Sequence, residues 1–343
     1  MRAAIITAHG GPEVIGYADD LPAPEPGFGQ VQVQMKAAAL NRLDLFVRQG
    51  WPGLNLTFPH IMGSDGAGVV SAIGPGVTQF QVGDPVAIDP TIVPDDSPAL
   101  MTGLENQSRI AIKGEHESGF ACETVVVPAR NLLKMPPGFS FQEAAAAGLV
   151  YVTAWHSLIT RGQLRAGETV LIVGAGGGVN TASVQIARLA GAHVIVVGSN
   201  AAKCEQALAL GAHQVIDRSH TPDWEKEVFK LTSKRGADVV VDNVGQETLL
   251  RSMKAARIGG RILIVGGTSG YSFNLPVNLL FAKHLTLIGS TMGPHRDYVD
   301  VMNLVFAGKL KAIISRTFGL SEGRAAQEAL ANGDVFGKIV FEI

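Results

Sequence analysis

Seven residues, Gly174-Ala175-Gly176-Gly177-Gly178-Val179-Asn180, hold the clearest chemical signal in the chain. They follow an apolar stretch, Thr169 to Val173, and precede an amphipathic one that begins near Val179. Glycines let a backbone approach a ligand closely, and the start of a helix offers N–H groups that no carbonyl has taken. A strand, a glycine turn and a helix in that order therefore seat a pyrophosphate. Gly174, Gly176, Gly177, Gly178 and Val179 are the expected contacts. A glycine cluster alone says little, but this context makes it a dinucleotide-binding signal. The last position of the motif, where a small residue is usual, is Asn180. Either the helix stands further from the strand or the amide bonds near the phosphates, and both readings stay open.

The end of the second strand of this region selects between dinucleotides. A carboxylate there binds the ribose hydroxyls of NAD, but this chain reads Val197-Gly198-Ser199-Asn200, with Lys203 one helical turn on. At about 4 Å and an effective dielectric of about 20, a pair of unit charges is worth roughly 4 kcal/mol. Exchanging a carboxylate for a lysine therefore favours a 2′-phosphate. Ser199 and Lys203, with Arg218 after the third strand, are the expected partners, and NADPH is the expected cofactor.

These residues need elements to hold them. From position 169 strands alternate with helices: 169–173, 193–197, 214–217, 238–242, 261–265 and 285–290. Runs such as "VLIV" and "VIVV" are apolar throughout, as in a parallel sheet covered on both faces. The expected fold class is α/β with a doubly wound sheet. Residues 1–128 read instead as short antiparallel strands, since Val31, Val33 and Met35 alternate with Gln32, Gln34 and Lys36. One helix interrupts them at "NRLDLFVRQG", stopped by Gly50. Ser140 and Glu143 form a capping box that opens a helix of the second domain, which runs over 129–291. After it, 292–343 return to the first domain and end in "FGKIVFEI", a strand with a two-residue period.

Composition narrows the partners. The 343 residues carry a net charge of −2 and no basic run, which argues against nucleic acid and anionic membranes. No apolar run is long enough to span a bilayer. The first residues read as a strand rather than a signal peptide, so a cytoplasmic protein is expected. Two cysteines, Cys122 and Cys204, are too few for a disulfide framework or an all-cysteine zinc site. The strand "LTLIGS" falls at a sheet edge, where a second copy could pair with it, so a homodimer acting on a small molecule is expected.

Taken together, "AALNRLD", "GSDGAGVV", "GVTQFQVGDPVA", "VTAWHSL", "DNVG", "GSTMG" and "FGKIV" resemble the medium-chain dehydrogenase/reductase superfamily over essentially the whole chain. The closest resemblance is to its quinone oxidoreductase and zinc-type alcohol dehydrogenase-like members. It implies a Rossmann domain plus a GroES-like, mostly β catalytic domain. Zinc-dependent relatives carry Gly-His-Glu where this chain has Gly63-Ser64-Asp65; Asn41 stands for their cysteine ligand, and the third ligand position falls near Leu149. The lobe 89–116 lacks the four cysteines of a structural zinc. The resemblance therefore implies no metal. It places Asn41 as a polar donor, Asp44 as an organiser and Ser64 as a minor donor in a catalytic cleft, with Asp65 and Trp51 lining the substrate pocket. To the cofactor set it adds Thr153, Asn243, Gly266 and Ser290.

Without a Lewis acid, alcohol oxidation loses its main catalyst. Reduction of a quinone or an α,β-unsaturated carbonyl needs less, because the charge left by hydride spreads onto an oxygen that hydrogen bonds can hold. That is the expected reaction. An enoyl-thioester reductase and a dinucleotide-binding protein with vestigial catalysis are the alternatives. Related enoyl reductases place a tyrosine where Trp51 stands, and an indole cannot donate the proton.

Overall fold

The computed structural model describes residues 1–103, 105 and 110–343. Leu104 and positions 106–109, part of the lobe read as cysteine-free, lie outside the described residues. The chain forms two compact units, Met1–Leu149 with Pro294–Ile343, and Val150–Gly293. No helix among the described residues is long and apolar enough to cross a membrane.

The first unit opens with β1 (Ala3–Ile6) and the long β2 (Gln30–Leu40), which runs into α1 (Arg42–Gln49). Next come β3 (Asp65–Ile73), β4 (Pro85–Ile88) and β5 (Thr124–Pro128). Antiparallel pairing puts β3 against β2 and β4 against β3, with β5 also on β2. The glycines around Asp65 are what lets these strands close up. A Cβ at Gly66 would come 2.5 Å from Met35 Cε, and one at Gly68 would come 2.2 Å from the Gln34 carbonyl oxygen. The core between them is Val31, Val33, Met35, Val70, Val86 and Phe120.

Helix α2 (Phe141–Trp155) follows, its start capped as Ser140 Oγ accepts from the Glu143 N–H at 3.2 Å. The first unit takes this helix as far as Leu149, whereas the change of sequence texture lies near 129. The physical reason is a contact the texture does not show: Asp65 Oδ1 accepts the Leu149 N–H at 2.5 Å.

The second unit is a parallel sheet of β6 (Thr169–Val173), β7 (His193–Gly198), β8 (Gln214–Asp217), β9 (Ala237–Asp242), β10 (Ala256–Ile264) and β11 (Thr286–Gly289). Its order is β8-β7-β6-β9-β10-β11, a doubly wound arrangement that switches direction beside β6. Helices α3 (Gly178–Leu189) and α4 (Ala201–Leu210) follow β6 and β7. Strand β10 starts five residues before the position read from sequence. Gly259-Gly260 resembles a turn, but the register shifts against β9 between Ala237 and Val239 and absorbs the extra residues.

The chain returns to the first unit through α5 (His295–Phe306), β12 (Ile314–Gly319) and β13 (Lys338–Glu342). Strand β13 lacks the expected alternation. It is central, parallel to β12 on one side and antiparallel to β2 on the other, and Lys338 through Phe341 are all buried.

Candidate active site

Register explains how distant residues come together in the first unit. Ala39 of β2 stands opposite Asp65 of β3, and Leu40 stands opposite Ile339 of β13. Asn41, Asp65 and Lys338 therefore meet at one end of three adjacent strands. Asn41 is 6% exposed, Lys338 4%, Asp44 3%, and Ser64 and Asp65 are fully buried.

Their hydrogen bonds close on one another. Asn41 Nδ2 donates to Ser64 Oγ at 2.9 Å and to Asp65 Oδ2 at 2.8 Å. Lys338 Nζ donates to Asp65 Oδ2 at 2.8 Å and also to Asn41 Oδ1. Asp65 Oδ1 is held by the Leu149 N–H, and Gly148 makes room for it: a Cβ there would come 2.2 Å from that oxygen. Asp44, in the first turn of α1, accepts the Asn41 N–H and the Gly63 N–H, both at 2.7 Å. Burial pushes the Asp44 carboxyl up to about 6, while those two N–H groups and the Lys338 charge pull it down and the Asp65 charge adds to the rise.

The structure thus brings Asn41, Asp44, Ser64 and Asp65 into one network and adds Lys338, which sequence reasoning missed. No local signal could have found it, because Lys338 lies 297 positions from Asn41. Both amide hydrogens of Asn41 are spent inside the network, on Ser64 Oγ and Asp65 Oδ2. Trp51 is 38% exposed. His60 and Asp65, neighbours in sequence, keep separate company: His60 Nε2 faces the Gly114 carbonyl oxygen at 3.3 Å, and burial lowers its pKa. The Cys122 and Cys204 thiols are free and buried, and burial pushes Cys122 up to about 12.

The second unit carries a separate constellation, also made by register. The strand ends pair as Val173 with Val197 and Asp242, Gly198 with Asp217, and Ile264 with Gly289. Gly174, Ser199, Arg218, Asn243, Gly266 and Ser290 are therefore the residues just beyond one common edge. In open parallel sheets that edge is where ligands bind. Helix α3 begins at Gly178 behind Gly177, which offers no side-chain cap, so its first N–H groups are left for an anion. The buried Ser290 hydroxyl also has no hydrogen-bond partner among the described residues. These features fit a dinucleotide.

The Asn180 amide is engaged within the protein. Its Nδ2 reaches back to the Val173 carbonyl oxygen at 3.4 Å and its Oδ1 accepts from Asn243 Nδ2 at 2.7 Å. Gly174 is the residue that admits it, with φ +103° and a Cβ position 2.4 Å from Asn180 Nδ2. The larger side chain is thus housed by a strap between two loops. Nearby, Asn200 caps α4 through the Lys203 N–H at 2.9 Å. Asp217, the acid in register with Gly198, is turned onto the N–H and hydroxyl of Ser219 at 2.9 and 2.7 Å. Thr153 Oγ1 lies 3.9 Å from Met292 Sδ.

Residues 27–137 match the alcohol dehydrogenase GroES-like domain, and residues 178–307 the zinc-binding dehydrogenase family. A crotonyl-CoA reductase of Streptomyces collinus is 31% identical over 97% of this chain and 83% of its own length. A quinone oxidoreductase of Pseudomonas aeruginosa is 32% identical over 97% of both chains. Among solved structures, one described as an NAD-dependent alcohol dehydrogenase superposes with a TM-score of 0.96 at 42% identity, covering both chains fully. With a parallel nucleotide-binding sheet, a separate mostly β unit and relatives alike over nearly their whole length, this chain belongs to the medium-chain dehydrogenase/reductase superfamily of oxidoreductases.

Proposed function

We propose that this oxidoreductase is a metal-independent, NADPH-dependent reductase of quinones or α,β-unsaturated carbonyls. The observation that carries the proposal is the closed network of Asn41, Ser64, Asp65 and Lys338. It offers an amide, a hydroxyl, a carboxylate and an ammonium, and lacks the thiolates and imidazoles that bind catalytic zinc. When bound, a reduced nicotinamide supplies the hydride. The residues of the network hold the floor of the site rigid and keep water from it, since none is more than 6% exposed. Conjugated acceptors suit such a site because their developing charge is already delocalised. Names among the relatives, quinone oxidoreductase above all, point the same way.

NADPH is favoured by what lies beyond β7. Ser199 and Asn200 carry no charge, Asn200 is spent as a cap, and Asp217 is engaged by Ser219, while the Arg218 N–H bonds the Gly198 carbonyl at 3.0 Å and so brings Arg218 next to Ser199. The solved neighbour named for NAD makes the opposite preference the one to test against. Arg218→Ala and Lys203→Ala are each expected to lower the NADPH-to-NADH ratio of kcat/KM about tenfold, the worth of roughly 1.4 kcal/mol. A wild type that binds NADH more tightly than NADPH would overturn this part.

A second reading, reduction of an enoyl thioester, is favoured by the crotonyl-CoA reductase relatives. The deciding experiment follows loss of NADPH absorbance against 1,4-benzoquinone, simple enones and crotonyl-CoA. Turnover of the first two classes supports the main reading, and turnover confined to crotonyl-CoA supports the second. No turnover with NADPH bound would leave a dinucleotide-binding protein with vestigial catalysis.

A further inference from the structure

Hydride transfer to a conjugated acceptor leaves an anion that must still take a proton. Within the first unit, a titratable pair outside the Asn41 network is placed to give it. Strand β3 pairs with β4 so that Gly66 stands opposite Ile88; Asp65 and Asp89, one residue further along each chain, are therefore neighbours. Asp89 thus extends the row formed by Lys338, Asn41 and Asp65. It is 2% exposed, and its surroundings are fixed. Its N–H donates to the Asn131 carbonyl at 2.8 Å, Asn131 Nδ2 donates to its own carbonyl at 3.0 Å, and its Oδ1 accepts the Thr91 N–H at 2.9 Å. The other carboxylate oxygen, Oδ2, meets His295 Nδ1 at 2.9 Å, at the start of α5. The His295 side chain is 34% exposed, and its Nε2 has no hydrogen-bond partner among the described residues. One ring nitrogen is anchored on a buried carboxylate and the other is open. Tyr298, one turn further on in α5, stacks on the imidazole with ring centroids 6.0 Å apart. Its buried hydroxyl and that of Thr91 also have no partner among the described residues. Buried hydroxyls are ordinarily bonded, so two orphans beside one pair call for a polar group from outside the chain.

We propose that Asp89 and His295 are the acid dyad of the reduction: Asp89 orients the imidazolium, and His295 Nε2 gives the proton to an acceptor whose oxygen the Thr91 and Tyr298 hydroxyls hold. Burial opposes a charge on His295, but the hydrogen bond and charge of Asp89, with the charge of Glu105, outweigh burial and the repulsion of Arg130. The imidazole therefore keeps its proton above its ordinary range. Burial, with the charges of Asp89 and Asp65, holds the Tyr298 hydroxyl protonated and so a donor. With an enone, hydride from the reduced nicotinamide bonds the β-carbon, carries two electrons into the acceptor and leaves NADP⁺. The π pair moves onto the carbonyl oxygen, giving an enolate. Its α-carbon then takes the proton from Nε2, the N–H electron pair stays on the ring, and solvent reprotonates the exposed imidazole.

The inference rests on the proposed reduction, and its test separates the two. Wild type, His295→Gln and Asp89→Asn, each saturated with NADPH, are assayed against methyl vinyl ketone and crotonyl-CoA across pH. The His295 ring is titrated separately by NMR with labelled histidine. In wild type, kcat/KM is expected to fall as pH rises through the value at which the ring loses its proton, and the two midpoints should coincide. His295→Gln is expected to lose about 100-fold in kcat and the falling limb with it, while the Kd for NADPH stays within about threefold. Asp89→Asn, which can still accept the Thr91 N–H, should move the limb and the NMR midpoint to lower pH together. An active wild type with a His295→Gln variant within about threefold of its kcat overturns the inference alone. So does a limb that persists in that variant or fails to match the NMR midpoint. A wild type that reduces no conjugated acceptor overturns the proposed reduction and the inference with it. If His295→Gln fails to fold, Asp89→Asn decides: a limb that stays in place overturns the inference.

Discussion

At the scale of the residue, the network at Asn41 is a problem of buried charge. Asp65 is fully buried and Lys338 nearly so, and removing one partner of such a pair leaves the other charged and unpaired. Lys338→Met is therefore expected to cost about 3 to 5 kcal/mol in urea unfolding. A loss below about 1 kcal/mol would mean that Asp65 does not depend on the ammonium. Asp44 predicts a pH dependence with a definite sign. Its carboxyl is pushed up to about 6 in the folded chain, from about 3.9 when unfolded. The folded state holds that proton more tightly, so the stability it contributes is full below about pH 4 and is lost as pH rises through about 6. Wild type should therefore lose part of its lead in stability over Asp44→Asn across that window, while the variant carries a constant penalty for the backbone N–H left facing an amide. Unfolding curves measured across the window check this; a constant gap would show that Asp44 does not titrate there.

At the scale of the element, two substitutions probe close approach. Gly148→Ala puts a Cβ 2.2 Å from Asp65 Oδ1, and that carboxylate cannot retreat because Asn41, Lys338 and Leu149 hold it. A destabilisation of about 1 to 3 kcal/mol is expected, read from the denaturation midpoint. Asn180→Ala cuts the strap between the loop after β6 and the loop after β9. The glycine loop should then lose its fixed shape, and dinucleotide affinity should fall roughly tenfold, about 1.4 kcal/mol, in a fluorescence titration. An unchanged Kd would make Asn180 a filler of space only. Both sites show the limit of reading elements from sequence. Strand, glycine turn and helix were legible around Gly174 because each has a local pattern. The destination of the Asn180 amide was not, since Asn243 is 63 positions away.

At the scale of the whole molecule, the six-stranded sheet ends in β11, whose outer edge has no partner strand among the described residues. Exposed Val277 and Phe281 precede that strand, at 61% and 65%. An open edge flanked by apolar side chains is a surface for pairing with a second copy. Sedimentation equilibrium is expected to give twice the chain mass, and a monomer at micromolar concentration would refute the homodimer. By itself the sequence determined the alternating core strands and the glycine turn between strand and helix, because periodicity and turn chemistry are local properties. Tertiary structure alone decided that Lys338 enters the site, that the Asn41 amide is already spent and that Asn180 faces another loop. Those outcomes depend on strand register and on which side chains share a buried space. Register is fixed by packing across the whole sheet, and no single stretch of chain carries that information.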